Sequence, residues 1–173
     1  MELRFSVFPR NESPGFVIYL ANCRMKAALQ KKFESSGLTV TPEQWAVLSS
    51  LWEEEGIHQS LLAEKTTKDR HNIARIVKLL ERGGLVRREP DGQDGRLQRV
   101  YLTEEGWALK SRLVPVVNNF LQHALSGLTQ EDLDSVRRIL GTIVTNLAEL
   151  SGGLDEGTGP QANDNRRAIF DRK

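Results

Sequence analysis

The stretch LVRREPDGQDGRLQRVYLTEEG, residues 85–106, has little freedom in its local fold. Residues 85–89 and 97–102 carry strand-forming side chains, and the intervening PDGQDGR consists of strong turn formers. Thr103 and the two acids after it are typical of a helix N-terminus. The segment therefore predicts a β-hairpin that leads directly into a helix, with arginines at and beside the hairpin tip.

The helices before the hairpin have clear start signals. Thr41, Pro42 and Gln44 form the pattern of a capping box with proline at the first helical position. A short helix is expected from His58, and after a turn a longer helix over residues 69–84. The apolar positions of that longer helix recur at helical spacing and are Ile73, Ile76, Val77 and Leu80. This order of elements predicts a winged helix-turn-helix domain, in a fold that is mainly α with a small β-wing.

The polar side chains around the longer helix form one stripe opposite its apolar stripe. They are Lys68, His71, Asn72, Arg75, Lys78 and Arg82. In a helix-turn-helix the second helix enters the major groove, where Asn can read adenine and Arg can read guanine. Residues 65–100 contain ten Lys or Arg against five Asp or Glu, although the whole chain has a net charge of only +1. This asymmetry indicates a local basic face, for which a solvated helix surface is the alternative interpretation.

The arginines of the hairpin favour contact with DNA. Arg96 lies at the glycine-rich tip, while Arg87 and Arg99 lie on the strands. A tip with glycines can approach DNA closely, and positive charge there would meet phosphates or a narrow minor groove. Asp94 lies two residues before Arg96 and could brace its guanidinium by a charge-assisted hydrogen bond. The alternative is that Arg96 is an ordinary exposed hairpin residue.

Over roughly residues 16–150 the chain resembles MarR-type transcriptional regulators. The motifs that carry this resemblance are Leu62-Ala63-Glu64, Leu80-Glu81 to Val86, Asp94-Gly95-Arg96 and Leu102-Thr103 to Gly106. The resemblance implies base or phosphate contact by Arg70, His71, Asn72 and Arg75, and wing contact by Arg96. Gly95 stands where a second wing arginine is frequent, which weakens the expected wing contact.

The resemblance also implies a homodimer that is built from the first and last helices. Apolar residues recur at helical spacing within residues 16–27 and 133–150. The predicted organisation is an N-terminal arm and dimerisation helix (1–36), a winged helix-turn-helix DNA-binding domain (37–103), C-terminal dimerisation helices (104–151) and a flexible tail (152–173). The alternative is that both stripes cover the core of a monomer.

Small aromatic or amphipathic effectors are a further implication of the resemblance. Phe16, Tyr19, Trp45 and Trp107 are the candidates to line an apolar effector cavity, and the alternative is that all four pack in the core. Cys23 invites interpretation as a redox sensor, since one branch of the family senses peroxides through a single N-terminal cysteine. Reactivity requires thiolate character and exposure, whereas Cys23 lies on an apolar stripe, which favours core packing.

Other function classes have little support in the sequence. No apolar run reaches the roughly 18 residues of a membrane span, and the N-terminus does not resemble a signal peptide, so a cytoplasmic location is expected. No metal-binding or catalytic motif is recognisable, so we expect no enzyme, metal or cofactor. The prediction is a transcriptional repressor that binds a palindromic operator in double-stranded DNA and is released by a small ligand. A winged-helix protein-interaction module is the alternative, although it would not require the basic stripe.

Overall fold

The computed structural model describes residues 13–94 and 97–152 of the 173-residue chain. Its helices are α1 (Pro14–Ser35), α2 (Pro42–Glu53), α3 (Gln59–Thr66), α4 (Arg70–Arg82), α5 (Glu104–Ala124) and α6 (Gln130–Gly152). Its strands are β1 (Ile57–His58), β2 (Val86–Pro90) and β3 (Gln98–Leu102). The predicted fold class, mainly α with a small β-wing, is confirmed.

Local capping fixes where several helices begin. The Thr41 hydroxyl accepts from the Gln44 N–H at 3.2 Å, and the Gln44 side chain accepts from the Thr41 N–H at 2.9 Å. This reciprocal capping box was predicted and is confirmed. Asp69 caps α4 by accepting from the Asn72 N–H at 2.8 Å, which satisfies one of the donors that every helix start leaves unpaired.

The sheet has the order β1-β3-β2, with antiparallel pairing throughout. The hairpin β2–β3 was predicted, with strand bounds that differ by one residue at the ends. The two-residue strand β1 was not predicted, because it is too short to show alternation. His58 is the N-cap of α3, in keeping with a short helix that begins there, and it also pairs with Arg99 in β1, which was not predicted.

The hydrophobic core joins the helix-turn-helix to the long helices that flank it. Leu48, Leu62 and Ile73 contribute from α2, α3 and α4. Phe33 at the end of α1 and Leu113 in the middle of α5 are fully buried in the same cluster. Contacts therefore group α5 with the winged helix-turn-helix, and the chain divides into two compact units at Ala124 and Leu125. The boundary predicted at residue 104 separates a DNA-binding region from a dimerisation region and was not based on packing. It stays a prediction.

Helix α6 belongs to the second unit and differs from the other long helices in its exposure. No residue from 130 to 150 is buried, and its apolar side chains are largely open to solvent. Apolar side chains in the first half of α1 are exposed as well. None of the helices in the described part of the chain is long and apolar enough to cross a bilayer.

Candidate nucleic-acid interface

The apolar face of α4 fixes which side chains point outward. Ile73 and Val77 are fully buried, and Ile76 and Leu80 are nearly so. Because a helix turns once in 3.6 residues, the opposite face must lie at the surface. The candidates on that face are accordingly exposed at Arg70, His71, Arg75 and Lys78, and Asn72 is half-buried. Helical periodicity therefore located the face correctly, while contact with DNA by these residues stays a prediction.

The turn between α3 and α4 sets the direction of the second helix. Thr67 has a φ of 52°, in the left-handed region, which an L-residue adopts at some cost. The Lys68 N–H reaches back to the Ala63 carbonyl at 2.9 Å and closes the turn. Lys68 is half-buried and comes just before α4, next to the first turn of the exposed polar face of that helix.

Two candidate residues of α4 are bonded to each other. Arg75 Nη2 donates to Asn72 Oδ1 at 3.2 Å, across a spacing of three residues on one helix face. This bond was not predicted, because periodicity identifies a face and not the rotamers on it. It joins two side chains that sequence patterns treated as independent.

The far end of α4 is tied to the wing by an ion pair. Arg88 Nε lies 3.1 Å from both carboxylate oxygens of Glu81, and Arg88 Nη2 lies 2.5 Å from Oε2. These hydrogen bonds lower the pKa of Glu81 and raise the pKa of Arg88. The pair connects the recognition helix to β2 and so helps to fix the wing relative to the helix.

The tip of the wing falls outside the described residues at Gly95 and Arg96. The expected DNA contact of Arg96 and its bracing by Asp94 therefore stay predictions. Asp94 itself is described, and its backbone N–H donates to Asp91 Oδ1 at 3.0 Å. The backbone carbonyl of Asp94 accepts from the Leu97 N–H at 2.9 Å, so the Asp94 backbone is hydrogen-bonded through both of its polar groups.

Asp91 organises the base of the wing, and sequence reasoning missed it. It is only 7% exposed and is the one buried polar or charged residue among those described. Oδ1 accepts from the backbone N–H of Gln93 at 2.7 Å and of Asp94 at 3.0 Å, while Oδ2 accepts from Arg99 Nε at 2.5 Å. These backbone bonds first, and then Arg99, lower the pKa of the Asp91 carboxyl from 3.8 to about 2. The only sequence signal was an aspartate before a glycine in a turn.

Arg99 has an internal role that its prediction as a DNA contact did not include. Besides its bond to Asp91, its Nη1 donates to the Gly56 carbonyl at 2.7 Å. His58 Nε2 lies 3.4 Å from Asp91 Oδ2, so β1 also reaches this carboxylate. Arg99 therefore links Gly56, just before β1, to Asp91, just after β2. Its contact with DNA stays a prediction.

Arg87, the other strand arginine, also interacts within the wing. Its guanidinium carbon lies 4.8 Å above the centre of the Tyr101 ring, and it pairs with Glu89 on the same strand. Cation–π contact of this kind holds a guanidinium against the sheet. The Tyr101 ring leaves no room at Gly56, where an added Cβ would lie 2.7 Å from it.

The four aromatic candidates for an effector cavity occupy different environments. The Trp45 ring packs 5.6 Å from that of Trp52, Trp107 is 41% exposed beneath Lys110, and Tyr19 is 62% exposed. Phe16 is half-buried. An effector cavity built from these residues stays a prediction.

Neither of two cavities in the first unit is lined by any of the four aromatics. One of ≈ 420 Å³ lies between α1 and α5 and is lined by Ala28, Lys31, Lys32, Ser35, Asn119, Phe120 and His123. The other, of ≈ 330 Å³, lies beside the recognition helix and is lined by Lys26, Thr41, Glu43, Gln44, Lys68, Asn72, Arg75, Ile76 and Leu79.

Cys23 is half-buried on α1 and is the single cysteine of the chain. A hydrogen bond with Cys23 raises the pKa of the Tyr19 phenol. The reactivity of the Cys23 thiol, and with it the redox-sensor interpretation, stays a prediction. Within residues 13–94 and 97–152, no group of three or more His, Cys, Asp or Glu residues could hold a metal ion.

Comparisons with known proteins agree with this fold. The family model described as MarR family matches residues 36–97, from the loop before α2 into the wing. The HTH-type transcriptional regulator TtmR of Methylorubrum extorquens is 32% identical over 127 residues, which cover 73% of this chain and 63% of that protein. The HTH-type transcriptional regulator YybA of Bacillus subtilis is 30% identical over 118 residues, covering 66% of this chain and 76% of that protein.

Among solved structures, the chain is similar to CouR from Rhodococcus jostii, whose crystal structure contains p-coumaroyl-CoA. The two share 26% identity at a TM-score of 0.68, over 78% of this chain and 94% of that one. The likeness extends well beyond the winged domain matched by the family model.

Proposed function

Because this chain belongs to the MarR family of transcriptional regulators, we propose that it is a homodimeric repressor that reads a palindromic operator and is released by a small ligand. Each subunit places α4 in the major groove of the DNA and its wing against the adjacent DNA backbone or minor groove. Arg70, His71, Asn72 and Arg75 contact base edges or phosphates, and Arg96 contacts DNA from the wing. Lys68 and Lys78, at the two ends of the face, neutralise phosphates.

The observation that carries this proposal is the exposed polar face of α4, which lies opposite four core residues. A helix that buries one stripe and presents Arg70, Asn72 and Arg75 on the other is suited to base readout. The wing adds a second basic element, which the Glu81–Arg88 pair ties to α4. A winged-helix protein-interaction module would need neither feature to be basic.

Exposed apolar side chains support the homodimer. On α6 they are Val136, Ile139, Leu140, Val144, Leu147 and Leu150, which are between 37% and 69% exposed. On α1 they are Val17, Ile18, Tyr19, Leu20 and Met25. Monomeric proteins rarely expose apolar surface in contiguous patches, and an isolated helix without tertiary packing is marginal in water. A second copy of the chain is the partner that would cover these stripes.

Release by a ligand is supported by the p-coumaroyl-CoA in the structure of the similar protein CouR. For this chain the proposed effectors are small aromatic or amphipathic molecules. They would bind near the aromatic candidates, all of which lie in the first unit, and change the spacing of the two recognition helices. The aromatic candidates for this cavity are Phe16, Tyr19, Trp45 and Trp107.

Selection from a randomised duplex pool, followed by binding isotherms at several salt concentrations, tests the proposal. The selected site should contain two inverted half-sites about 10 bp apart, and affinity should fall steeply with salt. Arg75→Ala should weaken the operator more than scrambled DNA. Arg96→Ala should weaken both alike and reduce the salt slope by about one unit.

Arg112→Ala removes an exposed arginine of α5, which belongs neither to α4 nor to the wing; it is the control and should leave the isotherms unchanged. Selection of no preferred sequence would contradict the proposed function. Unchanged isotherms for Arg96→Ala would remove the wing from the interface.

A further inference from the structure

We propose that Asn72 and Arg75 act as one unit of hydrogen-bond donors that reads guanine, so that Asn72 does not read adenine in the intact protein. The inference rests on the proposed DNA-binding function and concerns the base specificity of the same face. The observation behind it is the bond from Arg75 Nη2 to Asn72 Oδ1 at 3.2 Å.

Adenine readout by asparagine needs both ends of the side-chain amide. The amide oxygen must accept from the adenine N6 amino group while the amide nitrogen donates to N7. In this protein the oxygen already accepts from a guanidinium. Its second lone pair remains, but an adenine amino group that approached it would also face the N–H groups of Arg75. Two donors would then oppose each other, which disfavours adenine at this position.

The donors of the same pair remain available. Asn72 keeps both N–H bonds of its amide nitrogen, and Arg75 keeps the N–H groups that do not point at Asn72. Guanine presents two acceptors in the major groove, O6 and N7, and no donor there. The pair therefore matches guanine, and the Arg75 guanidinium is held in place for it by a neighbour on the same helix face.

The two acids in residues 68–82, Asp69 and Glu81, are not free to replace Asn72 Oδ1 as the acceptor for an adenine amino group. The Asp69 side chain caps the helix by accepting from the backbone N–H of Asn72 at 2.8 Å. Glu81 receives hydrogen bonds from Arg88 through both of its oxygens. Both carboxylates thus bind groups of the protein, while Lys68, Arg70 and Lys78 around them are donors. The face as a whole is therefore biased towards base edges that accept.

Breaking the pair should change the specificity and not only the affinity. Arg75→Ala removes the guanidinium and frees Asn72 Oδ1, so that the amide can read adenine with both ends. Selection from randomised duplexes should show a guanine at the Asn72 position for the wild type. For Arg75→Ala, the adenine-to-guanine preference at that position should rise by about tenfold, the size expected for one bidentate contact.

Two variants serve as controls in the same selection. Arg70→Ala removes another exposed arginine of α4 and should lower affinity without any gain for adenine. The double variant Asn72→Ala/Arg75→Ala should also show no gain, because the side chain that reads adenine is gone. The position that Asn72→Ala alone blurs identifies the base that Asn72 contacts. All these positions are exposed or half-buried, and circular dichroism checks that the helices persist.

A wild-type preference for adenine at that position would overturn the inference, as would an Arg75→Ala variant that gains nothing for adenine. In both cases specific binding itself would persist, so the proposed function would stand. Absence of sequence-specific duplex binding by the wild type would overturn the function and the inference together.

Discussion

Asp91 holds the base of the wing through a carboxylate that is almost fully buried. Its four partners come from the wing loop, from β3 and from β1, so one side chain joins three segments. A buried charge is stabilising only when it is paired and hydrogen-bonded, and both conditions are met here. At the scale of residues, this carboxylate therefore links the wing loop to both β3 and β1.

Replacing Asp91 by Asn should destabilise the protein in a pH-dependent way. The pKa of Asp91 is about 2 in the fold against an ordinary 3.8, so folding favours its charged form. The stabilisation is therefore complete above the ordinary pKa and is lost as the pH falls towards 2. Urea unfolding from about pH 7 to about pH 3 should show a constant gap between wild type and Asp91→Asn near neutrality, which narrows below about pH 4.

The matched control is Asp134→Asn, which removes an exposed acid that pairs with Arg137 and accepts a hydrogen bond from Gln130 on the same helix. An exposed pair contributes little, so its curve should follow that of the wild type. A gap for Asp91→Asn that stays constant down to pH 3 would contradict the role given to its charge.

Sequence patterns located the recognition face but not the contacts on it. Arg75 and Lys78 could be placed at the surface because the period of a helix follows from local spacing. The bonds of Arg99 to Asp91 and to Gly56 span eight and 43 residues, and no local signal encodes them. The Asn72–Arg75 bond depends on rotamers, about which periodicity carries no information.

At the scale of elements, the first turn of α5 is packed tightly against the sheet. The Gly106 carbonyl accepts from Trp52 Nε1 at 3.1 Å, which ties α5 to α2. A Cβ at Gly106 would lie 2.1 Å from the Leu85 carbonyl oxygen, so only glycine allows this approach. The junction sets how the wing strands enter α5.

Gly106→Ala should lower the free energy of unfolding by about 1–3 kcal/mol or more, because backbone atoms cannot yield as a flexible side chain would. Urea unfolding measures the change. Gly141→Ala is the same substitution on α6, where nothing lies within 4 Å of the added methyl. There alanine should stabilise the helix by up to about 1 kcal/mol. Equal effects of the two substitutions would show that the close contact at Gly106 does not exist.

Helix boundaries followed from local chemistry, whereas the smallest strand did not. The capping box at Thr41 acts within four residues, so sequence alone identified it, and the bonds between Thr129 and Asp132 at the start of α6 are equally local. β1 forms only because β3 pairs with it, and its pattern carries no alternation. Leu113 of α5 likewise lies in one core cluster with Leu48 of α2 and Phe33 of α1, which are far from it along the chain.

At the scale of the whole molecule, the exposed stripe of α6 is the feature that most needs a partner. Ile139 and Val144 are 51% and 53% exposed, and on the proposed dimer they lie in the interface. Lysine at either position would be harmless on a solvated surface but costly in an apolar interface.

Ile139→Lys/Val144→Lys should therefore shift the protein towards monomer in analytical ultracentrifugation and weaken operator binding in parallel. Thr145→Lys, at an exposed polar position on the opposite side of the same helix, is the matched control and should remain dimeric. A double variant that sediments as the wild type would remove this stripe from the interface.

The absence of buried side chains from residues 130–150 of α6 also has a consequence for gene dosage. On the proposed dimer, folding of α6 and association are one equilibrium, so the thermal midpoint should rise with protein concentration. Below the dissociation constant the amount of dimer grows with the square of the chain concentration. Promoter occupancy would then respond to gene dosage with a threshold, and a small fall in synthesis would release the target genes more sharply than a monomeric regulator could.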